Sequence, residues 1–315
     1  MISAKNLTKF FGEKCAVKDV SFEVEKGEIL GFLGPNAAGK STTMRILTGY
    51  FPPTSGTATV AGFDILENSL EARRKVGYLP ENFPLYKDMR VSEFLAFVAS
   101  IKGIPRSDRK ASINSALEKC GLTHEQDNFI GRLSKGYCQR VGIAQAIINN
   151  PDVLILDEPT VGLDPNQIIE IRNLIKELAG KSTVILSSHI LPEVAMVCQR
   201  VIIINKGQIL TVDTPENLSQ NLQKSERIYL EVQGEREKIK KLIEDTKGVL
   251  KVSSLDELSE SIYGINVETE LDRSIRKEMA QKLISAECGL FEMHAKQLTL
   301  EEIFIQMVDK GGEQN

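Results

Sequence analysis

Glu28-Ile-Leu-Gly-Phe-Leu33 runs directly into Gly34-Pro-Asn-Ala-Ala-Gly39-Lys40-Ser41. A short, almost continuous apolar run is the pattern of a strand buried on both faces. The eight residues after it fit G-x-x-x-x-G-K-[ST] and precede a stretch that reads as helix, which is the context the motif demands. Chance matches in a chain of this size are on the order of one in a hundred at ordinary composition. Backbone N–H groups of such a loop converge with a helix N-terminus into an anion cradle. Lys40 then supplies a cation for the β- and γ-phosphates, and the Ser41 hydroxyl can ligate Mg2+. A nucleoside triphosphate is the expected ligand, held by Gly34, Pro35, Asn36, Ala37, Ala38, Gly39, Lys40, Ser41 and Thr42.

Similar apolar runs recur at Val76-Gly-Tyr-Leu79, Val153-Leu-Ile-Leu156, Thr183-Val-Ile-Leu186 and Val201-Ile-Ile-Ile204, with helical stretches such as Ile168 to Leu178 between them. Strand and helix in alternation predict an α/β fold around a mostly parallel sheet. Val91 to Asn150 breaks the rhythm. Phe94, Leu95 and Val98 form one helical stripe and Leu117 and Cys120 another, so a helical insert is expected at about 91–150. The first domain is therefore read as residues 1–218, a P-loop NTPase fold with a β-rich nucleotide-binding part and that insert.

Beyond Pro215 the composition turns polar, and 219–226 reads as a linker. From 227 to 315 the order of alternating and helical segments is β-α-β-β-α-β, which predicts a small α+β ferredoxin-like domain. A last helix is expected after Thr299, whose T-x-x-E spacing to Glu302 is that of a capping box ahead of Ile303, Phe304 and Met307.

The 315 residues are 42% hydrophobic and 26% charged, ordinary globular composition that excludes general disorder and fibrous classes. Against 39 basic groups stand 43 acidic ones, weighted towards residues 219–315, so there is no basic field to draw in nucleic acid, and none is expected as a partner. Five cysteines, none in a C-x-x-C spacing, argue against a disulfide framework or structural zinc and fit a reducing compartment. No apolar run approaches the roughly 20 residues that cross a bilayer, and residues 1–14 lack a signal peptide's apolar stretch. The chain is expected in the cytoplasm.

Val153-Leu-Ile-Leu-Asp157-Glu158 ends in two carboxylates where a buried strand emerges beside the phosphate loop. Such a pair alone also fits a solvated turn. Next to the loop, Asp157 suits magnesium, and Glu158 suits accepting a proton from, or orienting, the water that attacks the γ-phosphate.

Between loop and carboxylates lies Leu133-Ser134-Lys135-Gly136-Tyr137, and after them come Gly162-Leu163-Asp164 and Ser187-Ser188-His189. With these elements in order, residues 2 to about 218 resemble the ATP-binding subunits of ABC transporters. The resemblance implies that Leu133 to Tyr137 is the signature, which presses Ser134 and Gly136 onto the γ-phosphate held by a second subunit. It implies that Val161 to Asp164 is the D-loop between subunits, that His189 is the switch histidine and that Phe11 stacks on adenine. Taken singly, the histidine also fits a loop residue, the phenylalanine core, and Ser-x-Gly a turn. Ser134 is placed to cap the helix that begins there. One copy per chain implies a head-to-tail dimer with two ATP molecules between subunits, driving a separate integral-membrane permease from the inner face of the membrane.

Three departures stand out. Alanine occupies position 37 where the family commonly has glycine, so the backbone is expected to avoid φ > 0, where Ala37 would carry strain of about 1 kcal/mol. Glu81 replaces the usual Q-loop glutamine; it still offers oxygen to magnesium but adds charge. Lys135 and Tyr137 replace a glycine and a glutamine. With the appended domain, these variants resemble the ABC-2-type exporter ATPases. A soluble ABC-type ATPase acting on ribosomes or another macromolecule is the alternative class, though such chains carry paired cassettes or a long coiled coil between loop and signature. An ordinary kinase is a third, and would not need Ser134. Cys138, following the signature directly, is either near the ATP interface or an inert thiol.

Overall fold

A computed structural model describes residues 1–221, 226–270 and 273–296. The contacts divide the chain into two compact units that part between Pro215 and Glu216.

In the first unit β1 (Ile2–Phe11) and β2 (Lys14–Val24) form a hairpin, followed by β3 (Ile29–Leu33), α1 (Lys40–Leu47), β4 (Ser55–Val60), β5 (Phe63–Asp64), α2 (Ser69–Arg74) and β6 (Val76–Leu79). The insert then contributes α3 (Val91–Ile101), α4 (Arg109–Lys119) and α5 (Lys135–Ile147). The chain returns through β7 (Val153–Asp157), α6 (Pro165–Ala179), β8 (Thr183–Ser188), α7 (Leu191–Ala195), β9 (Arg200–Asn205) and β10 (Gln208–Asp213). Two sheets result. One is antiparallel, in the order β2-β1-β4-β5, and the other runs β10-β9-β3-β8-β7-β6. The second is parallel from β9 to β6, with only β10 antiparallel.

The apolar runs explain that topology. Every residue of β3 and β7 is buried, which requires layers on both faces of the sheet. One core cluster joins Ile2, Leu7 and Val20 of the hairpin to Leu30 and Phe32 of β3 and to Met44, Ile46 and Leu47 of α1. The Phe22 and Phe32 rings meet edge to face at 5.0 Å. Each such side chain contributes about 1.5–3 kcal/mol by leaving water. The parallel register pairs Leu33 with Ser188 and Asp157 with Ser187. The carboxyl ends of β3, β7 and β8 therefore open at one sheet edge, where open α/β sheets bind ligands.

In the insert, Phe94 and Leu95 are buried as the stripe predicts, but Val98 is only partly covered and Ala99 takes the inner position. Leu117 and Cys120 are both buried, the latter as the C-cap of α4. The segment is also less uniformly helical than its pattern suggests: turns and two single-turn 3-10 segments separate α4 from α5.

The second unit begins within α8 (Pro215–Asn221) and continues with β11 (Glu226–Gln233), α9 (Arg236–Glu244), β12 (Val249–Ser259), β13 (Ile262–Thr269), α10 (Arg273–Ser285) and β14 (Gly289–Lys296). Its sheet has the order β12-β13-β11-β14, antiparallel throughout, which is the ferredoxin-like arrangement that β-α-β-β-α-β predicts. Ile228, Leu230 and Val232 alternate inward to meet Ile239 and Ile243 of α9 and Met279 and Leu283 of α10. The stretch read as a linker is in part ordered: 219–221 finish α8 and Glu226 opens β11, while 222–225 lie outside the described residues. The helix expected after Thr299 also lies outside them. Among the described residues no helix is long and apolar enough to cross a membrane.

Candidate functional site

The loop between β3 and α1 is closed by Ala38 N–H donating to Pro35 O at 3.2 Å. That bond makes Ala37 the third residue of a four-residue turn, a position that in one common turn type requires φ > 0. Ala37 has φ 64, which overturns the expectation that alanine here avoids the left-handed region: the turn dictates the conformation and the side chain bears the strain. Ala37→Gly is expected to stabilise the unit by about 1 kcal/mol, seen as a rise of roughly 2–4 °C in the unfolding midpoint; an unchanged or lowered midpoint contradicts it. Gly39, the N-cap of α1, has φ 109, and a methyl group there would approach Ala16 O to 2.8 Å, so only glycine fits.

This turn points Lys40 back into its own loop. The side chain is buried, donating to Gly34 O at 2.7 Å and Pro35 O at 3.3 Å, and its ammonium lies 3.2 Å from Glu158 Oε1. Ion pairs this enclosed lose most of their attraction to desolvation, so fold stability is a weak reason for keeping one. The other carboxylate oxygen of Glu158 is 2.9 Å from His189 Nδ1. Glu158 itself has φ 51, a left-handed conformation of the kind that persists where surrounding structure fixes it at functional sites.

One residue earlier, Asp157 is fully buried at the end of β7. Its Oδ1 accepts from Ser41 Oγ at 3.1 Å and from Ser187 Oγ at 2.6 Å. Its Oδ2 has no hydrogen-bond partner. A buried carboxylate oxygen left open beside a hydroxyl suits a hard cation with oxygen ligands, so the donor set fits Mg2+. Burial, and secondarily the Asp157 charge, pushes Tyr78 up to about 12, which keeps the phenol neutral.

These residues edge a cleft of about 770 Å3. Pro35 to Thr42 line it, together with Glu81, Glu158, His189 and Phe11. Gly34 and the buried Asp157 are not among its lining residues. Phe11 is half-exposed and braced by Phe51 at 5.3 Å, with the Lys9 ammonium 5.3 Å from its ring centre.

Ser134, Gly136 and Asp164 are not in this cleft. They line a separate hollow of about 280 Å3 with Tyr137, Arg140 and Gln167. Ser134 Oγ caps α5 by accepting from Tyr137 N–H at 3.3 Å, as its position predicts. Asp164 caps α6 in the same way through Gln167 N–H at 3.0 Å. Cys138 does not line the hollow: its thiol sits 3.9 Å from Ile130 O, and burial raises its pKa, the opposite of an activated thiol.

Residue reasoning missed Ser187. Its hydroxyl donates to Asp157 and accepts from Glu158 N–H at 2.9 Å, holding both carboxylate residues at once. The signal was present in two serines closing an otherwise apolar strand. Were Mg2+ held by Asp157, Ser187→Ala would be expected to raise the magnesium concentration for half-maximal turnover by about 10–100-fold, the usual effect of losing a group that orients a metal ligand; a magnesium titration of ATPase activity checks it. Also unforeseen was the Thr160 hydroxyl bonded to Glu193, which ties the segment after Glu158 to α7.

Comparison with known proteins follows the same outline. The family described as "ABC transporter" matches residues 17–161, and an "AAA domain, putative AbiEii toxin, Type IV TA system" matches 130–196. The chain is 40% identical over 235 residues to the bacitracin transport ATP-binding protein BcrA of Bacillus licheniformis, 74% of each chain. A solved structure titled "Dimeric Structure of MJ0796, a Bacterial ABC Transporter Cassette" superposes with TM-score 0.62 at 27% identity, covering 68% of this chain and 99% of that one. The linearmycin resistance ATP-binding protein LnrL of Bacillus subtilis is 30% identical over 316 residues, 98% of this chain and 99% of that protein. With a curated relative matched along nearly its whole length, this chain belongs to the family of ABC transporter ATP-binding proteins.

Proposed function

We propose that this chain is the ATP-hydrolysing subunit of an ABC exporter, peripheral on the inner face of the cell membrane, where ATP-dependent closure of two copies drives a separate integral-membrane permease. One observation carries the reading. The phosphate loop, Glu158 and His189 share one cleft, while Ser134, Gly136 and Asp164 are gathered in another place on the same unit. Two such units set head to tail bring the signature of each to the nucleotide of the other. The names of the two relatives, linearmycin resistance and bacitracin transport, support export, and the choice of cargo is left to the permease.

In this reading Phe11 packs on adenine, and the loop N–H groups with Lys40 and Thr42 cradle the phosphates. Asp157 and Ser41 would hold Mg2+, with Glu81 offering a further oxygen. Bound there, the ion would supply charge neutralisation for the phosphate oxygens. A phosphate entering the loop takes the Lys40 ammonium from Glu158, and the freed carboxylate faces the γ-phosphate. Glu158 then accepts a proton from the attacking water while the oxygen of that water bonds to phosphorus and the bond to ADP breaks. His189, held by Glu158, donates to the transferred phosphoryl group. Ser134 and Gly136 of the second copy present a helix N-terminus to the same charge.

Ser134→Ala tests this. Binding of ADP to the cleft is expected to persist, while ATP turnover falls about 10²–10³-fold, the cost of removing one preorganised donor. Undiminished turnover means the cleft works alone, as in a kinase, and ends the two-chain reading.

A further inference from the structure

Where the family commonly has glycine in its signature, this chain has Lys135, an exposed residue whose side chain reaches across to the loop before α6. It lies over Gly162 in the D-loop, where a methyl group would meet the ammonium and come within 3.3 Å of Cε. Gly162 has φ 68, so the loop turns through a conformation that leaves its Cα bare for the end of the lysine side chain. The reverse contact also exists. Gln167, in the first turn of α6, covers Gly136, where a methyl group would stand 2.6 Å from Cδ and 2.7 Å from Oε1. Each helix N-terminus thus lays a side chain on the other's glycine. One turn further on, Arg140 of α5 pairs with Glu170 of α6.

A lysine in the first turn of a helix opposes the macrodipole, and α5 has no acidic residue there to offset it. Its position is explained by the contact it makes. We propose that Lys135 and Gln167 are positioning residues that clamp the signature to the D-loop, so that both reach the second subunit's nucleotide as one body. The clamp acts by the far end of the lysine, its ammonium and Cε, lying on Gly162. The proposal rests on the two-chain reading above and adds to it the part that makes the two loops move together.

The test uses the full chain in a Glu158→Gln background, reading dimer formation by light scattering across an ATP titration and ADP binding by calorimetry. Lys135→Ala is expected to raise the ATP concentration at half-dimerisation about tenfold, the scale of reordering one or two freed residues at assembly, with ADP binding unchanged. Lys135→Met reaches as far as the Cε that lies on Gly162 but lacks the charge, and is expected to dimerise like the parent. Gly136→Ala is expected to impair dimerisation, and adding Gln167→Ala to recover part of it. The clamp is overturned if Lys135→Ala dimerises at the parent's ATP concentration, if Lys135→Met fails as badly as alanine, or if Gln167→Ala gives no recovery. If the parent itself stays monomeric in ATP, the two-chain reading falls and takes the clamp with it; a parent that dimerises while the lysine variants behave alike sinks the clamp alone.

Discussion

Glu158→Gln is expected to lower ATP turnover by about 10²–10⁴-fold, the range attributed to a positioned general base, while producing a dimer that persists in ATP. The carboxamide keeps the shape of the carboxylate that lies against Lys40 and His189, so the cleft need not rearrange. It cannot take a proton from water. The substitution also removes the anion that holds Lys40 3.2 Å away inside a buried pair. The ammonium is then left without its buried counter-charge, and incoming phosphates become its best partner. Binding should strengthen as turnover fails, two changes of opposite sign from one atom replaced. Light scattering with ATP and a phosphate-release assay read both. A variant hydrolysing at close to the wild-type rate removes Glu158 from the chemistry.

Much of this arrangement was legible because its physics is local. The five parallel strands announce themselves as apolar runs, since a strand covered on both faces has no polar side to alternate. The turn at Gly34–Ser41 carries its own motif, and Ser134 and Asp164 sit where a cap belongs, directly before a helix. Features fixed by neighbours far along the chain were not legible. Ala37 takes φ 64 because a turn closes around it, and composition alone favours the opposite. Ser187 holds Asp157 and Glu158 only because β7 and β8 are in parallel register. In the insert, Ala99 replaces Val98 inside because helix packing, rather than side-chain size, sets which face turns inward. Glycine positions 136 and 162 show no signal in sequence that distinguishes tight turns from seats for another residue's side chain.

Lys40→Ala is expected to abolish nucleotide binding and, separately, to destabilise the unit. Loss of two charge-assisted hydrogen bonds to phosphate, at about 1.5–3 kcal/mol each, amounts to a 10²–10³-fold or larger weakening. The destabilisation has another source. Glu158 stays buried, and removing one partner of a buried ion pair costs about 3–5 kcal/mol, or roughly a 10 °C fall in the unfolding midpoint for a unit of this size. Because the causes differ, they separate in a double variant. Adding Glu158→Gln to Lys40→Ala removes the stranded charge, so the midpoint should return most of the way, while ATP binding should stay lost because no ammonium has been restored. Thermal unfolding and calorimetry on the three variants resolve the two effects. A double variant that recovers ATP affinity along with its midpoint makes Lys40 a structural residue, held by Glu158 for the fold and not for the phosphates.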